Sequence, residues 1–161
     1  MSPAPMLRSV SMKLAMVALL GFSSLAAAKS SGTRVLYVGG TVAGIPMKSD
    51  AILEVSGGDA MRLTVRANSV QISYKDVNTL EYGMRVSRRY VEAIFVSPVF
   101  LIAKRKTHFL TIGYSDSEGK QQALVLKVGK EEIRVLLVTL EARTGRAVEY
   151  QDEEARKAGK G

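Results

Sequence analysis

Between Arg34 and Val128 apolar residues recur at every second position in short runs, each ended by turn residues. At Lys130 the period changes to that of a helix. A period of two puts successive side chains on opposite faces of a strand, so each run can bury one face and wet the other. The stretch over 34–38 is apolar after Arg34 and ends at Gly39-Gly40, and Ile45-Pro46 interrupts the next stretch. Ala51, Leu53 and Val55 alternate with Ile52 and Glu54 ahead of a turn at Gly57-Gly58-Asp59. Met61, Leu63 and Val65 alternate with Arg62, Thr64 and Arg66, and Ala67-Asn68 turns the chain into Val70, Ile72 and Tyr74. Further strands are expected over 77–82, 107–114 and 122–128, the last two joined by a hairpin loop at 115–119. This spacing predicts a mainly β fold, an all-β sandwich or barrel.

From Lys130 onward, Ile133, Leu136, Leu137 and Leu140 fall at i, i+3, i+4 and i+7, one face of a helix over 130–144. Glu131 and Glu132 occupy its first turn and Arg143 its last, each where the helix dipole favours that charge. Gly145 is placed to end it. Val135 and Val138 widen the apolar stripe. One domain is expected over 29–148, followed by a frayed polar tail over 149–161.

The first 28 residues have the pattern of an export signal. Arg8 and Lys13 precede an apolar run over 14–25, and Ala26-Ala27-Ala28 presents the small residues that a signal peptidase reads. Cleavage is expected after Ala28. An uncleaved anchor is disfavoured, because a spanning helix needs roughly 20 apolar residues and Ser23-Ser24 interrupts this run. The expected location is periplasmic or extracellular, with membrane association open. Removing residues 1–28 takes away two basic residues and no acid from the +8 chain, leaving 21 basic against 15 acidic residues, a net +6 over 133 residues. Export makes nucleic acid an unfavoured partner for that charge. An anionic membrane or envelope surface, or a protein, fits it better.

Six or seven short strands closed by one amphipathic helix resemble the pleckstrin-homology-like barrel, especially its bacterial and GRAM-like branches. The helix over 130–144 carries part of the resemblance. The rest lies in Val70-Gln-Ile-Ser-Tyr-Lys-Asp-Val-Asn-Thr-Leu-Glu, which is similar to the I-x-Y-x-D-I-x-x-L-E pattern of those domains. The resemblance implies a small antiparallel barrel of six to eight short strands closed by the C-terminal helix, serving as a binding or scaffolding module for phosphoinositides, peptides or proteins. Lipid-binding members carry clustered Lys and Arg between their first two strands. Here residues 39–50 contain only Lys48, so inositol-phosphate recognition does not carry over by position.

One segment departs from the alternation. Residues 90–103 read YVEAIFVSPVFLIA, with Glu92 the only charge. Arg85, Arg88 and Arg89 precede it, and Lys104, Arg105 and Lys106 follow. The segment is too short to span a bilayer as a helix. Pro98 lies near its middle, where it would interrupt a helix or a central strand. A hairpin with Ser97-Pro98 at its tip accommodates both facts. Its second apolar face needs a cover: the rest of the chain, a protein partner or second copy, or a membrane leaflet. In the leaflet case Phe95, Pro98, Val99, Phe100 and Leu101 form the contact, and the six cations meet anionic head groups.

The residues argue against an enzyme. The chain has no cysteine and one histidine, which excludes thiolate chemistry and multi-histidine metal sites. His108 is expected at the barrel rim, kept neutral by the cations over 104–106, with no orienting acid or nucleophile near it in sequence. A small hydrolase built on it is the least favoured reading. Gly39-Gly40-Thr41-Val42-Ala43-Gly44 lacks the Gly-Lys-Ser/Thr ending of a phosphate loop and reads as a turn. No metal, cofactor or catalytic residue is expected. The leading expectation is an exported, non-enzymatic binding module, and the alternative is a structural protein that assembles with copies of itself.

Overall fold

Two antiparallel runs share a single strand, β1. The computed structural model describes residues 32–86, 95–96 and 107–160, so the expected signal at 1–28 lies outside the described residues. β1 (Thr33–Gly40), β2 (Ser49–Glu54), β3 (Ala60–Val65) and β4 (Asn68–Ser73) form one meander. A single 3-10 turn at Tyr74–Asp76 leads into β5 (Val77–Gly83). β6 (Phe95–Val96), β7 (His108–Ser115) and β8 (Gln121–Val128) follow. β8 returns alongside β1, and the sheet order is β4-β3-β2-β1-β8-β7-β5. α1 (Lys130–Thr144) lies over the expected residues, and Gly145 ends it at φ +66°.

The alternation decides which faces are buried. Ala51, Leu53, Met61, Leu63 and Val65 point into the core, whereas Ile52 is exposed. Ile133, Leu136, Leu137 and Leu140 of α1 pack into the same core. Each buried aliphatic side chain contributes about 2 kcal/mol, against a few tenths for a surface pair on the helix. Burial therefore places α1. Val135 and Val138 stay outside at 70% and 65% exposure, so the buried stripe is narrower than the sequence suggested. β7 and β8 are buried on both sides. Leu110, Ile112, Leu124 and Leu126 face α1 and the main core, while Phe109, Ala123 and Val125 form a second cluster with Val38 and Val86.

The sheet is mainly antiparallel, but it is not closed into a barrel. The expected closure would join β4 to β5. That edge of β5 is taken instead by β9 (Val148–Tyr150), which pairs with it in parallel through Leu80–Val148, Glu81–Glu149 and Tyr82–Tyr150. β4 and β9 therefore end the strand order. β4 carries Asn68, Ser69, Gln71 and Ser73, and β9 is three residues long, two ordinary ways of blunting an edge. Across the gap, Arg143 of α1 donates hydrogen bonds to the Gly58 and Ser56 carbonyls at 3.2 and 3.3 Å, and its guanidinium lies 5.9 Å from the Tyr74 ring centre.

Two further differences concern glycines and the tail. Gly39 and Gly40 belong to β1 rather than to a turn. A methyl group on Gly40 would fall 2.4 Å from the Ala123 carbonyl oxygen, so glycine permits the close strand approach there. The stretch read as a frayed tail forms β9 and α2 (Glu153–Lys160). The Glu141 carboxylate accepts the Val148 N–H at 2.7 Å, and the Gln151 N–H reaches the Tyr82 carbonyl at 3.1 Å. Asp152 caps α2 by accepting the Ala155 N–H at 2.7 Å. Ala155 and Gly159, one helical turn apart, form its buried side.

Gly159 offers a test of that docking. A methyl group there would lie 2.6 Å from Tyr150 Cε1 and 3.2 Å from Tyr82 Cε1. In a free tail Gly159→Ala would favour the helix by about 1 kcal/mol. In the docked helix the overpacking outweighs that gain, and the variant is expected to lose about 1–2 kcal/mol of stability. Urea unfolding measures the sign, and an unchanged or raised midpoint would refute the docking.

Candidate functional site

Gly83 of β5 faces Phe109 of β7 across their ladder, so the chain leaves the sheet and re-enters it at neighbouring points. The excursion between them contains the apolar segment and both of its basic flanks. Arg85 is exposed at its start. Phe95 and Val96 form β6, whose backbone pairs with Gly40 and Gly39 of β1, three strands away from β5. Arg88, Arg89, Pro98, Val99, Phe100, Leu101, Lys104, Arg105 and Lys106 lie outside the described residues, and Phe95 is placed by its backbone alone. Among the described residues no helix is long and apolar enough to cross a membrane.

The two roots of the excursion, Met84 and Thr107, line one cleft of about 670 Å³. That volume is within the range of small-molecule sites. Val128 at the end of β8 and Ala158 of α2 add apolar lining. Lys127, Lys130 and Lys157 stand around it, contributed by β8, α1 and α2. All three lysines are exposed, and among the described residues they form no ion pair. Glu154 also lines the cleft and has a partner of its own in the fold. The first turn of α1 is not an open anion cradle, because Glu132 folds back over it. A methyl group on Gly129 would fall 2.1 Å from Glu132 Oε2.

His108 lies in the wall of the cleft at 9% exposure. Its Nδ1 is 2.5 Å from the Tyr82 hydroxyl, and the two rings stack at 6.0 Å with 7° between their planes. Tyr150 meets the Tyr82 ring edge-on. Burial, and then the neighbouring Tyr150, push the Tyr82 phenol up to about 12, so it keeps its proton at neutral pH. Burial lowers the His108 pKa, and Lys130 lowers it further. Among the described residues the lowering comes from desolvation first and then from a lysine on α1, while the cations over 104–106 expected to act on the ring lie outside the described residues. With the phenol protonated and the ring neutral, the Tyr82 hydroxyl can donate to Nδ1, leaving the proton on Nε2. The histidine's partner is a phenol rather than a carboxylate. Among the described residues no three His, Asp or Glu side chains gather as a metal site.

The sequence singles out Arg85 as a candidate contact and His108 as the sole histidine, but not the cleft. Lys127, Lys130 and Lys157 are brought together by the return of the chain through β9, and no spacing in the sequence marks them. Comparisons with protein-family models and with curated proteins find no match to this chain.

The depressed histidine pKa has a consequence for stability. Above about pH 6.5 the ring is neutral in both folded and unfolded chains. As the pH falls below that value the unfolded chain takes up the proton first, and stability is lost until the folded pKa is passed. The urea midpoint should therefore decline through this window, and His108→Phe should flatten that part of the profile. Equal slopes in both proteins would contradict the assignment.

Proposed function

We propose that the chain is an exported, non-enzymatic binding module that engages an anionic envelope or membrane surface through its apolar segment and the basic residues on either side. One observation carries this reading: the Gly83–Phe109 pairing sets both roots of the segment at one end of the sheet. In sequence, Arg85, Arg88 and Arg89 follow one root, and Lys104, Arg105 and Lys106 precede the other. Lys127, Lys130 and Lys157 stand at the same end, around the cleft that Met84 and Thr107 line. A cation near an anionic leaflet is worth roughly 1 kcal/mol, so six together contribute several kcal/mol at low salt. The pleckstrin-homology-like resemblance belongs to this proposal. It is supported by the order β4-β3-β2-β1-β8-β7-β5 and by a helix that directly follows the last long strand. In this reading β6 and β9 are additions to that plan, and β9 holds the edge at which the family's barrel would close.

Flotation with vesicles tests the surface reading. The mature protein should float with phosphatidylglycerol-containing vesicles at low salt and be released at high salt, because exposed charges are screened. Replacing Arg88, Arg89, Lys104 and Arg105 by Glu should weaken binding by at least roughly tenfold, given the worth of each cation. Equal binding to neutral vesicles, or none to either, would sink the proposal. Retention by a protein partner in place of vesicles would move the reading to a protein interface.

A further inference from the structure

The cleft supports a second, separate reading. We infer that it is a binding site for an amphiphilic anion, a charged head group carried on a short apolar chain.

Two features of the lining point to that class. Its floor and walls are apolar at Met84, Val128 and Ala158, where an alkyl chain can be removed from water. Its rim carries Lys127, Lys130 and Lys157, three ammonium groups without internal ion-pair partners among the described residues. Like charges gathered around one cavity repel one another and attract an anion. Lysine acts there as a point charge with three donors, so it suits a carboxylate or phosphate head without demanding one fixed geometry. Glu154 is the only acid among the described lining residues, and it is already partnered.

The position of His108 makes the site measurable. It is the single histidine of the chain, and its ring lies in the wall of the cleft. Among the described residues, the titratable groups that bond it or line the cleft with it are Tyr82 from β5, Lys127 from β8, Lys130 from α1, and Glu154 and Lys157 from α2. An anion seated among the lysines offsets the field of Lys130 and raises the pKa of the ring.

This reading is independent of surface adhesion, because it concerns monomeric ligands in free solution. The test follows the His108 ring signals by NMR while four probes are added to the mature protein. Octanoate supplies head and chain, octyl glucoside the chain with a neutral head, and inorganic phosphate an anion with no chain. Dihexanoyl phosphatidylglycerol below its micellar concentration supplies a lipid head. Octanoate or the short lipid should give a saturable shift and raise the His108 pKa, while octyl glucoside and phosphate bind at least roughly tenfold more weakly. Saturation by octanoate assigns a free acid, and saturation by the phosphatidylglycerol alone assigns a lipid head. Lys127→Gln together with Lys157→Gln should weaken the binding roughly tenfold or more. Lys75→Gln, in the turn before β5 and near the opposite end of α1, should leave it unchanged. No saturable shift, equal binding of octyl glucoside, or insensitivity to the lysine pair would overturn the site.

Discussion

The ladder between β7 and β8 carries the rest of the molecule. Eight registered pairs run from His108–Val128 to Ser115–Gln121, and both faces of this hairpin are buried. On one face Leu110, Ile112, Leu124 and Leu126 meet α1 and the β1–β4 meander. On the other, Phe109, Ala123 and Val125 collect Val38 and Val86. A hairpin buried on both sides cannot slip by one residue without exchanging two apolar surfaces at once. Its loop is held as firmly, because Asp116 accepts the Glu118 and Lys120 N–H groups and Gly119 takes φ +77°. β1 and β5 take the two sides of this hairpin, and α1 leaves its end through Gly129. The edge at which β9 docks, and with it the cleft, is set by where that hairpin lies.

The strands and α1 were legible because each buries one face and so repeats at a period of two or 3.6. Met61, Leu63 and Val65 needed no more than their spacing, and neither did Ile133, Leu136, Leu137 and Leu140. The C-terminal elements were not legible for a physical reason. α2 is buried through Ala155 and Gly159, two small residues among Glu153, Glu154, Arg156, Lys157 and Lys160. Close approach of backbone to the Tyr82 and Tyr150 rings does there what large apolar side chains do in α1. A pattern that counts hydrophobic residues cannot see a contact made by their absence. The open sheet has the same origin, since a parallel three-residue strand at the edge of β5 has no alternation long enough to register.

The site was half legible. The apolar run and its basic brackets stand out in any reading of the chain, and the β5–β7 ladder joins their roots. The cleft beside them depends on three lysines separated by up to thirty positions and on a tail that folds back. His108 was visible as the sole histidine, but not its partner. The Tyr82 hydroxyl reaches Nδ1 only because β5 lies beside β7, an adjacency of strands that the sequence order leaves open once an excursion separates them.

The cleft also bears on how firmly α2 is held. α2 brings Lys157 toward Lys127 and Lys130, so its docking gathers charges of one sign. Against that repulsion stand the buried Ala155 and Gly159, the Asp152 cap, and the hydrogen bond from Arg134 Nε to the Ala158 carbonyl at 3.2 Å. The repulsion between exposed ammonium groups is modest and screened by salt, and the buried contacts exceed it. The lysines are thus tolerated by the fold without contributing to it. An anion among them would reduce that unfavourable term in the docking of α2. By linkage, whatever binds only the docked form stabilises it in proportion to the logarithm of its concentration. Occupancy of the cleft and order in the C-terminal helix are therefore two readings of one equilibrium.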